Sequence, residues 1–270
     1  VPKEDIAHAV AVGGTIWQLN RLVGPAMAGI LIYMIGIGPT YYFCFAASLS
    51  AVMLWLGIRL NTPASAPSAG GMMQHMAEGL NFIRKNEIYF IFIAIIFFNS
   101  AFGMSYLVLM PVFARHVLDV GSRGFGFLQS VGGAGALVGV VAVAWFFYSR
   151  RKGVEAPTGA LIFGILLMMF AASMSYPLSL ALAFLLGVAS QFYMTTISTV
   201  LQVKLPNELR GRVMGIYGHA WELMPVGGMI AGGVAEFAGA PLAVGFGGFM
   251  VAGMALFVTI FYPALRRLEQ

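Results

Sequence analysis

Within the long apolar runs of this chain, Glu222 is the side chain that carries the most chemistry. Twelve residues of helix separate it from Arg210, which places it about 18 Å along its run. A carboxyl that far from either end is a group that can take up and release a proton, or bind a cation. His219 lies three residues earlier on the same helical face and can relay the proton or pair with the acid. A static hydrogen-bonded pair that fixes helix packing is the competing reading. One His and one Glu supply too few ligands for a metal, so neither a metal nor a cofactor is expected. Arg21 sits at similar depth in an earlier run, where it pairs with an acid or meets a ligand directly.

The other polar side chains inside apolar runs are Gln18, Asn20, Asn99, Gln129 and Gln191, with Tyr193, Trp221, Tyr106 and Thr195 as secondary candidates. Each marks a pathway or a partner, because a polar group at that depth is costly. The commoner explanation for any one of them is an interhelical hydrogen bond, worth about 0.6 kcal/mol. Small residues recur four apart: Gly24 with Ala28, Gly135 with Gly139, and Gly228 with Gly232. Such pairs let backbones approach closely, for tight packing or for sliding. Pro25 and Pro225 each free a backbone carbonyl and permit a kink.

The elements that must position these residues follow from composition. Of 270 residues, 60% are hydrophobic and 9% charged, and the mean hydropathy is +0.87. A soluble domain is about 45–50% apolar and about 25% charged, so a soluble enzyme, a nucleic-acid binder and a disordered chain are excluded. The pI of about 9.5 reflects short, scattered basic clusters that orient a chain in a membrane. The single cysteine, Cys44, allows no internal disulfide.

Eight runs are long enough to span as helices: about 7–34, 39–60, 88–114, 123–148, 157–175, 177–202, 209–237 and 241–264. The ends and every second loop collect Lys3, Arg59, Arg84, Lys85, Arg150, Arg151, Lys152, Lys204, Arg210, Arg212, Arg266 and Arg267. The other side has Arg115 and Arg123, so both termini are expected in the cytoplasm. Residues 61–71 read as a Pro/Ala/Ser/Gly linker, and 72–84 as an amphipathic helix on the membrane surface.

An internal repeat sets the architecture. Shifting the chain by 204 positions lays Val1–Gly29 over Leu205–Gly233 without a gap. Pro2, Glu4, Gly14, Trp17, Leu19, Gly24 and Gly29 then meet their own residue types. Spans one and seven are thus equivalent members of two six-helix sets, as in transporters built from parallel repeats. Residues 1–60 become the last two helices of one half, 61–87 the linker, and 88–270 the other half. Four helices are expected upstream of Val1, and the piece alone is not expected to transport.

The carriers of a family resemblance are Val1-Pro2-Lys3-Glu4-Asp5, Asn20 through Gly29, Glu78-Gly79-Leu80 with Arg84-Lys85-Asn86, and Leu205-Pro206 through Arg210-Gly211-Arg212-Val213-Met214-Gly215. They resemble the major facilitator superfamily, above all its bacterial efflux branch of enterobactin exporter-like, macrolide efflux-like and transmembrane secretion effector proteins. The resemblance covers the whole chain as family helices five to twelve. Gly24-Pro25 with Gly29 is similar to the fifth-helix motif of proton-coupled drug exporters, although Ala28 replaces its first closing Gly.

The resemblance implies an all-α polytopic bundle in the cell (inner) membrane, monomeric at full length. It implies export of a small organic molecule of the drug, macrolide or siderophore class, by proton antiport with alternating access. It leaves family helices six, nine and twelve outside the cavity, in accord with the bare interiors of the second, fifth and eighth runs. Gln18, Asn99, Gln129, Gln191, Tyr193 and Trp221 become cavity candidates, and Glu222, His219 and Arg21 coupling candidates. Gly24, Pro25, Gly29, Pro225, Gly228 and Gly232 become motif and packing residues. The alternatives are an uptake permease or lipid mover on the same scaffold, or a non-transporting membrane partner subunit. No nucleotide loop or hydrolase elbow suggests an enzyme.

Overall fold

In lipid a backbone must bond to itself, and every described segment of regular structure here is helical. The computed structural model describes residue 20 and residues 23–25, 27–57, 72–145 and 152–262. Gln18, Arg21, the linker at 61–71 and most of the first expected run lie outside the described residues. Six segments are long and apolar enough to cross a membrane: Ile37–Leu56, Glu87–His116, Gly121–Val143, Gly153–Ala172, Tyr176–Lys204 and Ala240–Phe261. Length and composition thus support six spans where eight were expected. Of the other two, Val23–Ile35 (α1) is shorter, and the run from Asn207 to Ala238 is broken.

Helix α2 (Ile37–Leu56) is apolar all round and almost uncovered, with Thr40 its sole buried described residue. Helix α3 (Met72–Lys85) is the expected amphipathic helix. It is followed by α4 (Glu87–Phe98), a π-helical turn (Asn99–Gly103) and α5 (Tyr106–His116), which together form one interrupted span. Then come α6 (Gly121–Trp145), α7 (Lys152–Ala172) and α8 (Tyr176–Lys204). Helix α9 (Asn207–His219) passes through a 3₁₀ turn (Ala220–Leu223) into α10 (Met224–Ala238), and α11 is Ala240–Phe261.

Lipid offers no hydrophobic drive between helices, so close packing rests on small residues. A Cβ on Gly139 would fall 2.5 Å from the Val188 carbonyl oxygen, and one on Gly135 would collide with that of Phe184. These contacts seat α6 on α8. Gly164 and Gly248 join α7 to α11 reciprocally, each with the other's carbonyl under 3 Å from its missing Cβ. Gly227 of α10 and Gly247 of α11 abut the Ala101 and Phe102 carbonyls of the π-turn.

The π-turn is defined by one displaced hydrogen bond. The Met104 amide bonds to the Asn99 carbonyl at 2.8 Å, one residue further back than in an α-helix. The Asn99 amide oxygen lies where a side chain on Gly103 would begin, so only glycine leaves it room. Pro111, lacking an amide hydrogen, leaves the ladder broken again further along. Aromatic rings fill the core beside this break: Phe113 stacks on Phe170 at 5.0 Å, and Phe163 meets Tyr193 at 6.0 Å.

Helix α3 docks on α9. Its Gly79 faces Arg212 and Ile216, Glu78 pairs with Arg212, and Ile83 is buried. The Tyr89 hydroxyl donates to the Lys204 carbonyl at 2.9 Å, tying the start of α4 to the end of α8.

Candidate functional site

A cavity of about 610 Å³ opens among three segments. The π-turn hands over to α5 at Met104 and Leu107, which form one wall. Helix α8 forms the second with Gln191, Met194, Thr195, Ser198, Thr199 and Gln202. Tyr217 of α9 and Trp221 of the 3₁₀ turn close the third. Two of the three walls therefore lie next to places where a helix departs from α geometry, and such irregularity at membrane depth is tolerated beside a cavity.

The α8 wall is polar by periodicity. Gln191, Thr195, Ser198 and Gln202 recur at i, i+4, i+7 and i+11, so they share one face. The Gln191 side-chain amide donates to the Thr195 hydroxyl at 3.1 Å, and that of Gln202 to Ser198 at 2.8 Å. The Tyr217 hydroxyl approaches Ser198 from α9. Thr196 points elsewhere and returns its hydroxyl to the Phe192 carbonyl at 2.9 Å.

Among the expected cavity residues, Gln191 and Trp221 line this space. Asn99 and Tyr193 do not; they are 1% and 0% exposed and sit together in the core. Tyr193 follows Gln191 by two residues, which turns it away from the lining and toward Phe163 of α7. Its hydroxyl lies beside the Asn99 side chain in the core. Gln129 is half-buried on α6, outside the lining.

His219 and Glu222 are exposed, flanking Trp221 in sequence but not lining the cavity. The 3₁₀ turn aligns residues three apart, so the two side chains share a direction. The structure forms no ion pair between these two described residues. Gly29 is buried against Gly126 and the Ser122 carbonyl of α6, and Gly228 against Val108 of α5. Among the described residues, Gly24 has only Asn20 nearby, and Gly232 has nothing within 4 Å. Pro25 contacts Gly126 through its carbonyl, and Pro225 opens α10 just past the 3₁₀ turn.

Sequence reasoning passed over Ser198, Thr199, Gln202 and Tyr217. The signal was available: hydroxyls and amides at helical spacing on an otherwise apolar span. What hid it was weighting by ionisable and amide groups: Ser198, Thr199 and Tyr217 carry hydroxyls that stay neutral near pH 7, and Gln202 closes its apolar run.

These features define a polytopic helical membrane protein with an internal cavity. The family pattern of the Major Facilitator Superfamily matches residues 1–229, and the chain belongs to that family. It is similar to the multidrug efflux pump Tap of Mycolicibacterium fortuitum, 24% identical over 272 residues that cover 97% of this chain and 64% of Tap. The MFS-type transporter YfiS of Bacillus subtilis (strain 168) is 26% identical, covering 94% of this chain and 62% of YfiS. The multidrug resistance protein MdtG of Escherichia coli O17:K52:H18 is 25% identical, covering 99% of this chain and 65% of MdtG. The chain thus spans just under two thirds of the length of these relatives, which are named as a pump, a transporter and a resistance protein rather than as enzymes.

Proposed function

We propose that the chain is the larger part of a secondary active transporter that exports a small organic molecule of the drug, macrolide or siderophore class in exchange for protons. The observation that carries this reading is the cavity itself, walled by the start of α5, a polar helix face and the junction of α9 with its 3₁₀ turn, within a Major Facilitator fold. The name of Tap, a multidrug efflux pump, supports efflux as the direction.

Residues 1–60 then contribute two helices of one half, 61–87 the linker, and 88–270 the other half. The first half touches the second where Gly29 meets Gly126, and where the Arg123 guanidinium lies 5.8 Å from the Tyr33 ring and 5.9 Å from that of Phe127. Basic clusters mark the cytoplasmic side, so this contact lies toward the outer face, whereas Gln202 and Tyr217 lie toward the cytoplasm. The arrangement suits a conformer closed outward and open inward. Glu222, with His219 beside it, exchanges the proton, and Arg21 acts with them as a coupling residue.

The test uses everted membrane vesicles from bacteria producing the full-length protein. An imposed acid-interior gradient should drive accumulation of a transported dye or macrolide, and nigericin should abolish it. Accumulation indifferent to the gradient would overturn proton antiport.

A further inference from the structure

We infer that the substrate portion held against the α8 wall is uncharged, oxygen-rich and amphipathic, as in a polyhydroxylated macrolactone, and not a lipophilic cation. The inference rests on the exporter reading for its role in transport, but the binding chemistry stands separately.

Among the described residues that line the cavity there is no carboxylate, ammonium, guanidinium or imidazole. His219 and Glu222 are close in sequence to Trp221 but outside the lining. A charge lodged there would exchange water for dipoles without a counter-ion, which is unfavourable at membrane depth. An uncharged ligand incurs no such penalty.

The α8 face offers what an oxygen-rich ligand needs. From Gln191 to Gln202 it runs about 16 Å, a length set by eleven residues of helical rise. Amides and hydroxyls both donate and accept, so they match hydroxyls, ethers and carbonyls alike. The bonds from Gln191 to Thr195 and from Gln202 to Ser198 hold these groups in place before any ligand arrives. Pre-positioning of this kind lowers the ordering cost of binding.

The opposite side is apolar and adaptable. Trp221 presents an indole that packs on the apolar face of a ring, and Met104 adjusts its shape to the ligand. A volume of about 610 Å³ falls in the range of about 300–1,000 Å³ typical of pockets for drug-sized ligands. With a row of amides and hydroxyls beside indole and thioether groups, the cavity matches a molecule that carries both polar and apolar faces.

The test is calorimetric titration of the full-length protein in nanodiscs of zwitterionic lipid, with erythronolide B as the uncharged probe and ethidium as the cationic one. Erythronolide B should bind, and Gln191→Leu and Gln202→Leu should each weaken it at least ten-fold. Ethidium should not displace it. Should the leucine variants fail to fold, Ser198→Ala, which only removes a hydroxyl, should still weaken the macrolactone about three-fold. Absent macrolactone binding, binding untouched by these variants, or competition by ethidium would overturn the inference. Gradient-driven ethidium export without macrolactone binding overturns the substrate class and leaves the exporter standing. Variant-sensitive macrolactone binding without any gradient-driven export upholds the class and overturns the exporter.

Discussion

Gly29 and Gly126 lie back to back, with 3.0 Å between the Cα of Gly126 and the place where a Cβ on Gly29 would sit. The contact joins α1 to α6 with no side chain between them, and the seats of Gly135 and Gly139 on α8 repeat the device. Filling such a seat forces backbones apart at a cost of about 1–3 kcal/mol. Gly126→Val and Gly135→Val should therefore lower the thermal unfolding midpoint of the purified protein, whereas Gly232→Ala, with open space around it, should not. An unchanged midpoint for Gly135→Val would rule out the close crossing of α6 and α8.

The π-turn makes a second prediction, through the coupling of Asn99 and Gly103. Gly103→Ala should destabilise, because its Cβ meets the Asn99 side chain and lies 3.0 Å from Phe163. Shortening Asn99 to Ala in the same chain should recover part of the loss, with a coupling of about 1 kcal/mol or more, as expected for residues in contact. Strict additivity in a double-mutant cycle would mean that Asn99 does not occupy that space.

At the α3–α9 contact, Glu78 and Arg212 are 39% and 30% exposed, so water screens their ion pair. Glu78→Gln should cost no more than about 1 kcal/mol, and its effect should shrink as salt is raised. Gly79→Leu should cost more at any salt concentration, since it displaces Ile216 and Arg212. Equal, salt-sensitive losses for both variants would assign the docking to charge instead of shape.

For Glu222 the expected outcome is functional. Glu222→Gln keeps the size of the side chain and removes its proton exchange, so export should lose its dependence on the pH gradient while ligand binding persists. Gradient-dependent export by this variant would remove Glu222 from the coupling step, and His219→Gln would then be the variant to assay.

Much of the fold was legible in the chain, for a reason that does not involve tertiary contacts. Long apolar runs must be helical in lipid, and the amphipathic stretch ending at Lys85 must be so at its surface. The interruptions were less legible. Nothing local in Asn99-Ser100-Ala101-Phe102-Gly103 demands a π-turn, which depends on the Asn99 side chain folding over Gly103 beneath Phe163 of a distant helix. Pro225 signalled a kink near Ala220–Leu223, but not the 3₁₀ turn that divides a run expected to be continuous.

The candidate site divides in the same way. That Gln191 and Trp221 are polar or amphipathic groups within apolar helices could be read directly. That they face one cavity while Asn99 and Tyr193 face the core could not, because the polar row on α8 gives a direction but not the distant helices that stand opposite it.

Composition and charge placement by themselves determined a helical, membrane-embedded chain, since the demand for backbone hydrogen bonds in lipid acts on each segment alone. Tertiary structure decided which side of each helix is inside. That choice is made by glycine seats, a displaced carbonyl ladder and the rings packed beside it, contacts between residues far apart in the chain that no single helix specifies.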